Sequence, residues 1–342
     1  MCNMENQSWD LLDPSVRAKL LGTHPLFDGK TIVMTPAINN LNKLIRRAAL
    51  LGEKGLCFSA ASGIGKSVAL VAAKAFLGRE MKGVPVIIHS FQNNQAPSIR
   101  GFYKHFLNSA QHASTKGETA ELRQRLSQRF IDNAYCSDRK MVVLLVDEAQ
   151  AMKTQDLLFL KDLDNDLVAA GARLLPVFMA QEPDFSEIRK RIYAEGRLDL
   201  IGRFLMRPLK FEGFRTLDDF RIWFRDIDRN EYPLGSGWTW TRFFFPEAWE
   251  NGFRMEYEAD RFFGVLSKAV GMRTRDEICA SPARQIFLAV RAFMLDNAGF
   301  DAPQMRLDEH AWSSALEYAR VEAAAGLINE DSDINDDWQV TT

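Results

Sequence analysis

Residues 58–70 read FSAASGIGKSVAL, an apolar run that gives way to small residues and then to a lysine and a serine opening an Ala-rich stretch. Positions 60–67 follow the phosphate-binding pattern G-x-x-x-x-G-K-[ST], with Ala60 in place of the first glycine. Gly63 and Gly65 allow backbone N–H groups to turn inward around a phosphate, and a helix starting near Lys66 adds its positive end. Ser62, Gly63, Ile64, Gly65, Lys66, Ser67 and Val68 are therefore candidate nucleotide-binding residues. In this reading Lys66 reaches the β- and γ-phosphates and Ser67 ligands Mg²⁺. The context agrees. GLCFS at 55–59 is a short apolar strand before the loop, and SVALVAAKAFL at 67–77 is a helix after it, stopped by Gly78.

Working outward, 84–89 (VPVIIH), 141–146 (MVVLLV) and 173–179 (RLLPVFM) are further β-rich runs. Helical stretches are expected at 36–50, where Ile38, Leu41, Leu44 and Ile45 recur at helical spacing, at about 99–133, and at 154–170. Buried strands alternating with helices predict an α/β fold with a largely parallel sheet. Beyond residue 212 no strong β-run remains, and helical patterns at 215–229, 258–270, 282–298 and 308–326 predict a mainly helical second domain. The expected organisation is an extension at 1–34, a nucleotide-binding core at 35–211, a helical domain at 212–328 and a tail at 329–342. The tail (NEDSDINDDWQVTT) holds five acids and no base, which predicts disorder unless Trp338 docks it on a partner. The aromatic block 238–257 reads as the core of the helical domain or as a partner-docking surface.

The run 141–146 ends in Asp147-Glu148, an hhhhDE Walker B pattern about 80 residues beyond the loop. An acid pair at the end of a buried strand is costly unless it serves a site, and ligands of open α/β sheets bind at that edge. Asp147 is expected to hold the Mg²⁺ shell and Glu148 to activate the attacking water. Gln181, ending the next β-run, is a sensor candidate for the γ-phosphate or the attacking water, set against an ordinary strand-end amide. Residues 187–210 carry seven bases against three acids; within them Arg203, with Arg197 behind it, is the candidate arginine finger, set against an ordinary solvated face. Ser281-Pro282 reads as an N-cap followed by proline at the first helical position, with Ile286, Val290 and Phe293 as the apolar stripe. Arg284, in that first turn but off the stripe, is expected to reach the nucleotide, set against an ordinary surface arginine.

In this order, the phosphate loop, the DEAQ stretch VVLLVDEAQAM (142–152), LKDLDNDLVAAGARLLPVFMAQEPDF (160–185), GRLDLIGRF (196–204) and SPARQIFLAVRAF (281–293) resemble an AAA+ ATPase. More narrowly, they resemble the TnsC/TniB/MuB family of transposition regulators. The resemblance covers about residues 31–210 and, loosely, 281–298. It implies an AAA+ P-loop core with a helical C-terminal lid, ATP and Mg²⁺ as cofactors, and slow, assembly-coupled ATP hydrolysis. It also implies rings or helical filaments on duplex DNA, a target-selector protein and a transposase as partners. The sequence departs from that pattern at Ala60, at Ala180-Gln181, where many relatives have glycine and a small polar residue, and in showing no helix-turn-helix at the amino terminus. In such rings the segment between the second strand and the Walker B strand lines the pore. Here 99–140 carries eight bases against four acids, and Arg100, Lys104, Lys116 and Arg123 are the candidate phosphate contacts, each set against a solvated surface side chain.

Composition is compatible with these expectations. The 342 residues, 46% apolar and 26% charged, exclude collagen-like and wholly disordered classes. With 43 Lys and Arg against 45 Asp and Glu the formal charge is −2, so nucleic-acid binding requires local patches. No apolar run reaches the ~20 residues of a membrane helix, and the four scattered cysteines and five histidines show no metal spacing. A cytoplasmic protein without a membrane partner is expected. Two other functions stay open: an AAA+ ATPase of a secretion or defence complex that remodels protein without DNA, and a signalling NTPase.

Overall fold

A computed structural model describes residues 10–28, 32–91, 98–206, 208–279 and 282–336. In chain order the elements are α1 (Pro14–Leu20), α2 (Pro36–Leu51), β1 (Leu56–Ala60), α3 (Lys66–Glu80), β2 (Val86–Ser90), α4 (Ile99–Ser109), α5 (Thr119–Tyr135), β3 (Met141–Asp147), α6 (Thr154–Ala169), β4 (Arg173–Gln181), α7 (Asp184–Ala194), α8 (Leu198–Phe204) and β5 (Leu209–Lys210). There follow α9 (Leu217–Arg229), α10 (Trp240–Phe244), α11 (Pro246–Glu250), α12 (Met255–Val270), β6 (Met272–Thr274), β7 (Glu277–Ile278), α13 (Ala283–Asn297), α14 (Glu309–Tyr318) and α15 (Val321–Asp336). Contacts divide the chain into two units, 37–212 with 331–342, and 1–36 with 213–330.

The first unit holds a five-stranded sheet in the order β2-β3-β4-β1-β5, and all its pairings are parallel. Every residue of β3 is buried, as expected for a parallel strand covered on both faces. Leu122, Leu126 and Phe130 of α5 and Phe102 and Phe106 of α4 join Val142, Leu144 and Val146 of β3 in one apolar cluster. The order places β4 between β1 and β3, so the carboxyl ends of the loop strand, the sensor strand and the acid-pair strand lie side by side. Two expectations change. The stretch 99–133 is two helices, α5 opening on a capping box between Glu118 and Glu121, a local helix-start signal inside what reads as one helical stretch. A fifth strand, β5, pairs with β1 through only Phe58↔Leu209 and Ser59↔Lys210.

In the second unit α9, α12, α13 and α14 pack around Trp312, which lies flat on Phe293 at 3.5 Å and donates from Nε1 to Glu258 Oε2 at 3.0 Å. The aromatic block is mostly core: Trp238, Trp240, Phe243, Phe244 and Phe245 are all buried, while Tyr257 is exposed. The amino-terminal segment, expected as an extension of its own, packs into this unit. His24 sits among Tyr232, Trp240, Phe243 and Phe244 with ring centroids 4.7–5.7 Å away, and burial pushes its imidazole down to about 3, so it is neutral. Pro282 is the N-cap of α13 rather than its first residue; Ser281 lies outside the described residues. The pattern at 308–326 breaks at Arg320, whose φ is 54°, into α14 and α15. Helix α15 continues to Asp336, into the stretch for which the sequence predicts disorder. Residues 337–342, with Trp338, lie outside the described residues. Among the described residues no helix is long and apolar enough to cross a membrane.

Candidate nucleotide site

The loop after β1 is built by two left-handed glycines, Gly63 at φ 76° and Gly65 at φ 93°, the latter capping α3. Side chains disfavour that region, and glycine enters it without steric cost. Ala60 explains itself: it is the last residue of β1, in register with Gln181, and its carbonyl accepts from Glu182 N–H at 3.1 Å. An extended strand residue needs no glycine. Ser62 and Gly63 are exposed, Ile64 is buried, and Ser67 and Val68 open α3 exposed.

Lys66 is only 7% exposed. Its Nζ donates to Ala61 O at 3.0 Å and to Gln181 Oε1 at 3.4 Å, so the loop lysine and the sensor candidate meet. Asp147 ends β3 buried, and its Oδ1 accepts from the Glu148 N–H at 3.0 Å. Glu148 adopts φ 54°, a strained region for a side chain of this kind and one that gathers at functional positions. Gln150, in the short 3₁₀ turn Ala149–Ala151, donates from Nε2 to Glu148 Oε2 and accepts from the Gln181 N–H at 2.8 Å. The structure therefore joins Lys66, Gln181, Gln150, Glu148 and Asp147 through successive hydrogen bonds or chain adjacency. Gln150 is the member that the sequence reading did not single out, although the DEAQ string displays it two positions after the glutamate.

This donor set fits Mg²⁺ carried by a nucleotide. Magnesium takes one or two carboxylates or hydroxyls from the protein and completes its shell with phosphate oxygens and water. Ser67, exposed near the start of α3, offers a hydroxyl and Asp147, ending β3, a carboxylate, the donor types such an ion takes from a protein, and among the described residues no group of three His, Cys, Asp or Glu forms a dedicated cage.

Arg203 is held within its own chain. Its Nη1 donates to Asp164 Oδ2 at 3.0 Å and Asn165 Oδ1 at 2.9 Å, with Lys54 Nζ 4.0 Å from the same carboxylate oxygen. Asp164 is 2% exposed, and burial raises its carboxyl pKa against the opposing pull of Lys54 and Arg203. Arg203→Ala should cost the core unit about 1–3 kcal/mol, because it leaves a buried carboxylate with one distant cation. Adding Asp164→Asn should recover part of that loss. Urea unfolding of the two variants checks this, and an Arg203→Ala protein as stable as the parent would show that the pair contributes nothing. Arg197 forms a bidentate pair with Asp199, both bonds at 3.0 Å. Arg284 is exposed in the first turn of α13; Arg207 of the basic segment lies outside the described residues.

Of the other basic candidates, Arg100 Nη2 donates to Gly117 O at 2.8 Å and Arg125 Nη1 to Lys116 O, which gathers Arg100, Lys116 and Arg125 at the α4–α5 connection. Lys104 lies one helical turn from Arg100 on α4. Arg123 turns instead toward Asp162, at 3.9 Å.

Residues 51–188 match the family model of an AAA domain. With its parallel sheet, flanking helices and phosphate loop, the 37–212 unit has the fold of an AAA+ P-loop core, accompanied by a mainly helical C-terminal region. No curated protein matches the chain in sequence. Similar solved structures include the Aeropyrum pernix ORC1 protein in complex with DNA, at 13% identity over 90% of this chain and 69% of that one, TM-score 0.45. Drosophila ORC bound to DNA is similar at 14% identity over 94% and 72%, TM-score 0.46. Domain III of the Thermotoga maritima replication initiation protein DnaA is similar at 15% over 84% and 93%, TM-score 0.43.

Proposed function

We propose that the protein is an ATP-dependent, DNA-binding AAA+ regulator that oligomerises on duplex DNA and links target selection to transposase recruitment. The observation that carries the nucleotide part is the meeting of Lys66 with Gln181 and, through Gln150, with Glu148 and Asp147 at one edge of the sheet. ATP and Mg²⁺ are its cofactors in this reading. Lys66 and the loop N–H groups bind phosphate, Ser67 and Asp147 serve the metal, and Glu148 takes the proton of the attacking water. Arg203 serves a neighbouring subunit by exchanging Asp164 for phosphate.

The transposition part rests on the resemblance of the DEAQ, 160–185 and 196–204 stretches to transposition regulators. The DNA part rests on the basic group at the α4–α5 connection. A few such contacts per subunit, multiplied in an assembly, give salt-sensitive binding without base reading. Filter binding of duplex DNA with ATP, ADP or no nucleotide across a salt series tests it. ATP-dependent binding is expected, insensitive to sequence, with a log–log salt slope of about −0.9 per phosphate neutralised. Lys104→Ala with Lys116→Ala should flatten that slope and weaken all duplexes alike. If ATP gives no duplex binding at low salt and the double substitution changes nothing, the protein-remodelling alternative takes its place.

A further inference from the structure

The β3–β4 ladder ends at Val146↔Phe178, three residues before the end of β4 at Gln181. Beyond it β3 turns away: Glu148 takes its left-handed conformation, and the 3₁₀ turn closes with Ala151 N–H on Glu148 O at 2.8 Å. This turn brings the Gln150 side chain back to the place a strand would have occupied. Its Oε1 accepts the Gln181 backbone N–H at 2.8 Å, and its Nε2 donates to Glu148 Oε2. A primary amide meets both demands at once, because its oxygen faces a donor and its nitrogen faces a carboxylate; an alkyl side chain meets neither and a carboxylate only the first. One oxygen of Glu148, Oε2, is thereby engaged by the amide.

We propose that Gln150 is a positioning residue for ATP hydrolysis, holding the Glu148 carboxylate by Oε2 and tying its orientation to the strand end where Gln181 meets Lys66. The proposal rests on the reading of Glu148 as the base. It does not require Gln150 to touch the nucleotide. Small displacements of a catalytic group cost one to two decades in rate. Gln150→Ala is therefore expected to lower kcat about 10–100-fold, with KM and the affinity for a fluorescent ATP analogue nearly unchanged.

The experiment is a double-mutant cycle on the full-length chain with ATP and Mg²⁺, comparing the parent, Gln150→Ala, Glu148→Gln and the double variant, together with amide hydrogen exchange at Gln181. If Gln150 acts through Glu148, its loss costs nothing more once Glu148 is glutamine, so the double variant hydrolyses ATP as fast as Glu148→Gln alone. A structural role would multiply in both backgrounds. Exchange at Gln181 should rise in Gln150→Ala without nucleotide present. In Gln150→Glu, which keeps the accepting oxygen but sets a carboxylate against Glu148, exchange should stay slow while kcat falls. Parental kcat in both Gln150 variants, or an equal further loss in the Glu148→Gln background, overturns the proposal. Parental hydrolysis by Glu148→Gln itself would instead remove the base assignment on which it stands.

Discussion

Glu148→Gln is expected to lower steady-state ATP hydrolysis by about 10²–10⁴-fold, the usual contribution of a positioned general base. In the reaction proposed for this site the water oxygen attacks the γ-phosphorus, its proton passes to Glu148, and the bond from phosphorus to the bridging oxygen breaks toward ADP. An amide of the same size keeps the shape and an acceptor oxygen for Gln150 but cannot take the proton. Backbone strain is unchanged, since glutamine and glutamate meet the same steric limits at φ 54°. ATP affinity should therefore stay within a few-fold of the parent, and ATP-bound assemblies should persist longer. A coupled phosphate-release assay and titration with a fluorescent ATP analogue measure the two quantities separately. Hydrolysis at the parental rate would take Glu148 out of the chemistry.

Lys66→Ala acts one step earlier and should weaken nucleotide binding itself. The Lys66 ammonium is held nearly out of water at the loop, on Ala61 O and Gln181 Oε1. Charge-assisted bonds from such a group to phosphate oxygens contribute about 1.5–3 kcal/mol each. Losing two weakens binding by about 3 kcal/mol or more, some two decades in Kd. The parent and Glu148→Gln should show a rise in melting temperature with ATP, which Lys66→Ala should lack at the same concentration. An affinity loss below about threefold would mean that Lys66 does not bind phosphate.

The sequence by itself determined the strands β1, β3 and β4, because parallel strands covered on both faces must be continuous apolar runs, and 141–146 and 173–179 are such runs. It likewise determined the phosphate loop, whose Gly63 and Gly65 announce a conformation that other residues avoid, and the acid pair at the end of β3. These are local properties of composition and period. Tertiary structure decided what depends on which segments become neighbours. The two residues of β5 are strand only because β1 offers them an edge. His24 is buried because distant aromatics of 232–244 enclose it. Arg203, read from sequence as the candidate arginine finger, finds Asp164 across 39 positions. Gln150 reaches Gln181 across 31, only because β4 lies between β1 and β3. A hydrogen bond needs its partners within about 3 Å, and no local signal in the chain records which remote segment the fold will bring that close.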